Sequence, residues 1–217
     1  MNTSRVKYPR TCHVPFSPGK SEDDLLLSDL SAFEGEIVVV TEKMDGENTT
    51  LYRTGLHARS IDSGNAGHPS RNWVKQFHAK IAMNIPDNWR ICGENLFAKH
   101  SIYYPDLASY FYGFSVWNDQ NRCLSWPETT EWFDLLGIVS VPVLYHGPFD
   151  IKIMKTLHSP VRNGRESEGW VLRKEGSFDY ENFSESVAKF VRREHVMTND
   201  HWTHSKIEPN KLSNMYN

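Results

Sequence analysis

The chain has 217 residues, seven tryptophans and eleven phenylalanines, enough for one domain with a sizeable core and at most a small appendage. A formal charge of -3 excludes a globally basic surface, so a polyanionic partner would need a local basic groove. Three widely spaced cysteines, Cys12, Cys92 and Cys123, with no CxxC pair, exclude a disulfide framework and a structural zinc knuckle.

Residues 1–20 hold Arg5, Lys7, Arg10 and Lys20 without an acidic residue, and Glu22, Asp23, Asp24 and Asp29 follow at once. With Pro9, Pro15, Pro18 and Gly19 this stretch reads as irregular, and 1–35 as an N-terminal extension packing on or near the core. No apolar leader is seen in it, and no run of about 18 apolar residues occurs anywhere, so no membrane partner and a cytoplasmic or otherwise intracellular setting are expected.

Strands are expected near 36–42, 49–53 and 56–61, separated by Gly46 and Gly55. Trp73, Phe77 and Ile81 recur every four residues, predicting a helix over 70–85 that Pro86 stops, its aromatic stripe packed into the core. Further strands are expected at 89–94, 110–117, 141–145 and 168–174, with short helices over 128–136 and 149–158. The polar composition after Val196 leaves 203–217 as a polar C-terminal tail, poorly packed from Pro209 on. Many short strands with few helices predict an α+β body over 36–202 with antiparallel sheets, not βαβ alternation. No GxxxxGK[ST] or GxGxxG occurs, so a nucleotide would bind without a phosphate loop.

The segment Glu42-Lys43-Met44-Asp45-Gly46-Glu47-Asn48 leaves the buried run Ile37-Val38-Val39-Val40. A lysine at such a strand end can be desolvated enough to lose its proton and act as a nucleophile. The same residues also suit an ordinary hairpin, with Asp45-Gly46 as its turn and Lys43 in solvent.

Four distant segments bear on that choice: Ala58-Arg59-Ser60, Cys92-Gly93-Glu94-Asn95-Leu96, Tyr110-Phe111-Tyr112-Gly113-Phe114 and Glu168-Gly169-Trp170-Val171-Leu172-Arg173-Lys174, with Val187-Ala188-Lys189-Phe190-Val191-Arg192 after them. In this order the set resembles the covalent nucleotidyltransferases, the ATP-dependent polynucleotide ligases and mRNA-capping enzymes. Asn48, the Phe-Tyr-Gly-Phe strand and the run from His195 to Trp202 make it most similar to RNA ligases of the RNA ligase 2 type. The resemblance implies a ligase adenylylation fold with antiparallel sheets flanking an ATP pocket. It implies Lys43 as the nucleophile that takes AMP, Glu94 on the ribose, Phe114 stacked on adenine and Glu168 at the catalytic metal. Lys189 would touch the α-phosphate, Asn48 and Arg59 would lie near phosphates and nucleic-acid ends, and Glu42 would support the lysine or a metal. ATP and Mg²⁺, with Mn²⁺ as a substitute, would be the cofactors, and nicked or adenylylated RNA ends the partner of a monomer.

Relatives place two lysines two apart in the last motif, whereas Val191 follows Lys189 here. Arg192 replaces the missing lysine only if the strand bends, because alternate residues of a strand face opposite sides. His195, His201 and His204 match no zinc spacing, while Arg192, Arg193 and Trp202 suit phosphate contact and base stacking. Three other readings stay open: a DNA ligase lacking its OB domain, a GTP-using capping-type enzyme, and a non-catalytic nucleotide- or RNA-binding module.

Overall fold

The run Val38-Val39-Val40 is fully buried, with Val38 and Val40 in one cluster and Val39 in another. A strand covered on both faces needs an unbroken apolar run, because successive side chains point to opposite sides. The computed structural model, which describes residues 5–61, 68–193 and 207–213, is built around this strand.

In chain order the strands are β1 (Cys12–His13), β2 (Ile37–Glu42), β3 (Glu47–Tyr52), β4 (Gly55–Ala58), β5 (Arg90–Asn95), β6 (Phe111–Trp117) and β7 (Arg122–Cys123). They continue with β8 (Val139–Ser140), β9 (Val143–Pro148), β10 (Val161–Arg162), β11 (Arg165–Glu166), β12 (Gly169–Lys174), β13 (Phe178–Asp179) and β14 (Val187–Val191). The helices are α1 (Asn72–Ile81), α2 (Trp126–Leu136), α3 (Ile151–Thr156) and α4 (Phe183–Ser186). One sheet runs β1-β14-β12-β2-β9; the second runs β13-β7-β6-β5-β3-β4, with β8 beside β6. Neighbours are antiparallel except β1 with β14 and β8 with β6. The architecture is the expected α+β fold with antiparallel sheets.

Each sheet has its own packing. The first covers Val14, Phe33, Val38, Val40, Met154, Trp170 and Leu172, so the N-terminal segment and α3 close one face. The second buries Leu51, Ile91, Phe111 and Val116 against Val74 and Ile81 of α1 and Phe133 of α2. A third cluster, with Val39 and Met44 against Leu96, Tyr104 and Tyr112, joins the two sheets. The helices end where local chemistry dictates. Ser125 and Glu128 form a reciprocal capping box that starts α2, two residues earlier than expected, and Gly137 ends it in the left-handed region at φ 65°. In α1, Trp73 and Phe77 stack at 5.4 Å, and a 3₁₀ turn over Ala82–Asn84 precedes Pro86.

Three expectations are corrected. Residues 43–46 are not a hairpin turn: β2 and β3 lie in different sheets, and this segment crosses between them. The N-terminal stretch is not wholly irregular, because β1 adds a parallel edge strand beside β14. The described part of the tail is packed: Asn210 is 1 % exposed, its Nδ2 donates to the Leu96 carbonyl at 2.7 Å, and its Oδ1 accepts from the Tyr104 amide at 2.9 Å. Sequence periodicity could not show this, since one buried amide side chain replaces an apolar pattern. His195, His201, Trp202 and His204 lie outside the described residues. Among the described residues, no helix is long and apolar enough to cross a membrane.

Asn210→Ala leaves the Leu96 carbonyl and the Tyr104 amide buried without partners, and should destabilise the fold by about 2–4 kcal/mol. Urea denaturation of the two proteins checks this; equal midpoints would contradict it.

Candidate active site

Lys43 is placed by backbone register. β2 pairs with β12, Glu42 opposite Trp170, and the next amide, Lys43 N, donates to the Gly169 carbonyl at 3.0 Å. That sets the Lys43 ammonium 2.6 Å from Glu168 Oε1. Gly169 has no substitute here, because a Cβ would stand 1.9 Å from the Phe190 carbonyl oxygen.

The crossing to the second sheet is pinned by Asp45. Its Oδ2 accepts from the Ser101 amide at 2.8 Å, the Ser101 hydroxyl at 2.7 Å and the Ile102 amide at 2.7 Å. The Asp45 amide donates to the Tyr104 hydroxyl at 2.9 Å. Gly46 then passes so close to β5 that a Cβ would lie 2.6 Å from the Asn95 carbonyl oxygen. The glycine is required by close approach, not by a turn.

Beyond it, Asn48 on β3 stands opposite Glu94 on β5, and Phe114 comes from the neighbouring strand β6. Lys43, Glu42, Asn48, Arg59, Glu94, Phe114 and Lys189 all line one cavity of about 510 Å³. Glu168, itself buried, is joined to the cavity through its ion pair with Lys43. Val171 lines the cavity as well, supplying an apolar wall besides Phe114. Seven of the expected residues therefore converge from both sheets.

Arg192 does not join them. β14 ends at Val191, the Arg192 amide donates to the Glu168 carbonyl, and its guanidinium turns to Glu166 at 2.5 Å. The chain does not bend there in the way that would bring Arg192 to the place of the missing lysine. Glu42 also has a partner that sequence did not predict: its Oε1 meets the Arg165 guanidinium at 3.1 Å, while its Oε2 is buried without a hydrogen-bond partner.

The charges inside the cavity are strongly coupled. Burial pulls the Lys43 pKa down, but the Glu168 carboxylate above all, with Asp45 and, once ionised, Glu94, outweighs it and holds the lysine above its ordinary value. Lys43 is thus an ammonium in this arrangement: of the two opposing influences, burial and the surrounding carboxylates, the carboxylates dominate, and a quarter of its side chain, 25 %, still reaches the cavity. Burial pushes Glu94 up to about 8 against the attraction of Lys43, and burial likewise raises Glu42 against Arg165. Lys189 is lowered by burial, with Asp24 opposing and Lys43 adding to the shift.

Sequence reasoning missed several neighbours. Asp24 reaches Lys189 at 3.5 Å and His13 at 3.4 Å. Burial opposes the Asp24 charge, but hydrogen bonds from Ser21 and the nearby cations bring its pKa to about 2. Tyr8 meets the Phe114 ring edge-on at 5.3 Å. Arg71 grips Glu47 through two guanidinium nitrogens, Nη2 and Nε, the latter at 2.7 Å, at the cavity wall. No sequence signal links Asp24 to Lys189; in the fold β1 sets His13 opposite Lys189, and Asp24 reaches both side chains.

Among the described residues no three His, Cys, Asp or Glu side chains converge as a metal cage. The donor set nevertheless suits a hard divalent ion that takes single carboxylate oxygens together with phosphate oxygens, as Glu168 and the unpartnered Glu42 Oε2 offer here.

The RNA ligase family model matches residues 36–191, and the chain belongs to the RNA ligase family. No curated protein matches it in sequence. Among solved structures, Naegleria gruberi RNA ligase with pyrophosphate is similar, at 22% identity and TM-score 0.54, covering 75% of this chain and 51% of that one. An apo mutant of the same ligase superposes with TM-score 0.53 at 17% identity, over 75% and 51%. A mutant with ATP and manganese does so with TM-score 0.54 at 16% identity, over 86% and 60%. The present chain therefore spans about half to three fifths of those proteins, and at these identities they share its fold.

With its pKa raised from 4.5 to about 8, Glu94 binds a proton in the folded state that the unfolded chain has released, so stability falls as pH rises across that window. Glu94→Gln should flatten that fall, read as the urea midpoint against pH. A variant midpoint falling as steeply as the parent's would contradict the assignment.

Proposed function

We propose that this chain is the adenylylating unit of an ATP-dependent RNA ligase of the RNA ligase 2 type. It joins RNA 5′-phosphate and 3′-hydroxyl ends as an intracellular monomer. Residues 36–202 form the catalytic body, 1–35 an extension packed on it and 203–217 a C-terminal tail. The observation that carries the reading is the Lys43–Glu168 contact of 2.6 Å at a cavity that Glu94, Phe114 and Lys189 also line. The three buried free thiols fit a reducing compartment.

The residues divide the work by position. Phe114 and Val171 hold the adenine ring and exclude water, and Glu94 takes the ribose hydroxyls. Lys189 neutralises charge that builds on the α-phosphate, where removing one such group typically costs a factor of about 10²–10³ in rate. Asp24 orients Lys189 from the N-terminal extension. The Lys43 amine, once it has given up its proton, attacks the α-phosphorus, pyrophosphate leaves, and a lysyl phosphoramidate of AMP remains. An RNA 5′-phosphate oxygen then displaces the lysine, giving a 5′-5′ pyrophosphate-linked end. A 3′-hydroxyl displaces AMP from that end and closes the phosphodiester. Mg²⁺ or Mn²⁺ held by Glu168 and Glu42 would supply the charge that offsets the carboxylates around Lys43 and polarises the phosphorus. Arg165, already on Glu42, limits that residue to one oxygen.

Incubation with α-labelled ATP and a divalent ion should leave acid-labile label on the protein. Lys43→Ala should carry none by intact mass, and Lys189→Ala should label about a hundredfold more slowly. Equal labelling of Lys43→Ala would end this reading.

ATP should label the protein in preference to GTP, and the protein should seal a nicked RNA duplex better than free single strands, since pre-positioned ends supply alignment. Parallel assays on 3′-hydroxyl RNA and DNA nicks check the substrate. A dominant GMP adduct would place the chain with capping enzymes, and equal sealing of all-DNA nicks would favour a DNA ligase.

A further inference from the structure

The N-terminal extension reaches the lysine cavity through a buried histidine. His13 on β1 stands opposite Lys189 on β14 in parallel register. Backbone bonds hold it from both sides: the Val14 amide donates to the Lys189 carbonyl at 2.9 Å, and the His13 amide donates to the Leu25 carbonyl at 2.7 Å. The second of these ties down the segment that carries Asp24. The His13 ring, 1 % exposed, lies between two polar side chains. Its Nδ1 is 2.8 Å from the Ser17 hydroxyl, and its Nε2 faces Asp24 Oδ2 at 3.4 Å. The other Asp24 oxygen, Oδ1, is 3.5 Å from the Lys189 ammonium.

The ring proton can be placed by elimination. Burial above all, with Lys189 adding to it and Asp24 opposing, brings the His13 pKa down to about 4, so near neutral pH the ring carries one N–H. The Ser17 hydroxyl oxygen accepts from the Val191 amide at 2.9 Å. Its own proton can go to His13 Nδ1 at 2.8 Å or to the Val191 carbonyl at 3.3 Å. The shorter contact takes it, which makes Nδ1 an acceptor and leaves the ring proton on Nε2. The opposite tautomer would aim a nitrogen lone pair at the Asp24 carboxylate. Among the described residues Nε2 makes no closer polar contact, so its N–H is directed at Asp24.

Asp24 is itself fixed, because the Ser21 amide and hydroxyl donate to its Oδ2 at 3.0 and 2.9 Å, leaving Oδ1 for Lys189. Lys189 is the one cation on β14 and it lines the cavity, Arg192 having turned to Glu166. A long, part-buried lysine side chain otherwise samples several rotamers, and ordering it costs entropy. We propose that His13 is a positioning residue for the nucleotidyl transfer: through Asp24 it holds the Lys189 ammonium toward the α-phosphate. This rests on the ligase reading above and adds to it a residue that lies outside the motifs.

Substitutions that copy one ring nitrogen each separate positioning from packing. His13→Asn keeps an amide near Nδ1 for Ser17 and loses the contact with Asp24, whereas His13→Gln keeps a donor toward Asp24. At saturating ATP, first-turnover labelling should be roughly tenfold slower in His13→Asn, with the half-saturating ATP concentration unchanged, since the loss falls on the transition state. His13→Gln should label at the parent's rate. Asp24→Asn, at a part-exposed position, should show the same loss as His13→Asn and carries the test if that variant does not fold. His13→Asn/Lys189→Ala should label no more slowly than Lys189→Ala alone, because His13 acts through that lysine. A second arm needs no nucleotide: acylation of Lys189 by acetic anhydride, read by peptide mass. A lysine released from Asp24 reacts faster, so His13→Asn and Asp24→Asn should exceed the parent and His13→Gln should match it. Parent-like labelling in His13→Asn or Asp24→Asn would overturn the proposal, as would slower labelling in His13→Gln than in His13→Asn. Additive losses in the double variant, or Lys189 acylation unchanged in His13→Asn, would do the same. A parent protein that takes no AMP but shows the expected acylation order would sink the ligase reading and leave the hold of His13 on Lys189 standing.

Discussion

The site depends on the register of β2 against β12. Because Glu42 pairs with Trp170, the Lys43 amide meets the Gly169 carbonyl and its side chain meets Glu168. A slip of one residue would turn the alternate side chains of β2 to the other face, separating lysine from glutamate. The register is secured by burial, since Val38, Val39, Val40, Trp170 and Leu172 are all fully covered. The Lys43–Glu168 contact is therefore held by an apolar core rather than by its own attraction. The attraction has a second consequence: it keeps the lysine protonated until some other positive charge competes for the carboxylates.

The crossing of Met44, Asp45 and Gly46 from one sheet to the other is what gives the cavity two walls. One wall, with Lys43 and Lys189, belongs to the first sheet; the other, with Asn48, Glu94 and Phe114, to the second. Asp45 accepts three hydrogen bonds from residues 101 and 102, and Met44 is buried in the cluster between the sheets, so the segment has little freedom. Asn210 binds the Leu96 carbonyl and the Tyr104 amide, tying the two sides of this loop together. In the proposed reaction, where Lys43 meets a phosphorus in line, such rigidity is the arrangement that effective catalysis needs.

The N-terminal extension contributes more than cover. Through β1 it completes the sheet edge beside Lys189, through Asp24 it holds that lysine, and through Tyr8 it supports Phe114. Residues far ahead of the lysine motif thus shape the cavity beside Lys189 and Phe114.

Much of this was legible in the amino-acid order. Buried strands announce themselves by β-branched runs, α1 by its four-residue apolar spacing, and α2 by Gly137 at its end, although the Ser125 cap that starts it was not read. The residues around the cavity were legible as a set because the motifs that carry them resemble one family's in order: Lys43 after β2, Glu94 within β5, Phe114 within β6 and Lys189 within β14. Tertiary structure alone decided which of them meet. It turned Arg192 toward Glu166, gave Glu42 the partner Arg165, and brought Asp24 to Lys189 across more than 160 positions of chain. Local patterns record how each segment buries its own apolar face, whereas pairing between distant polar side chains depends on sheet order and register, which no single segment encodes.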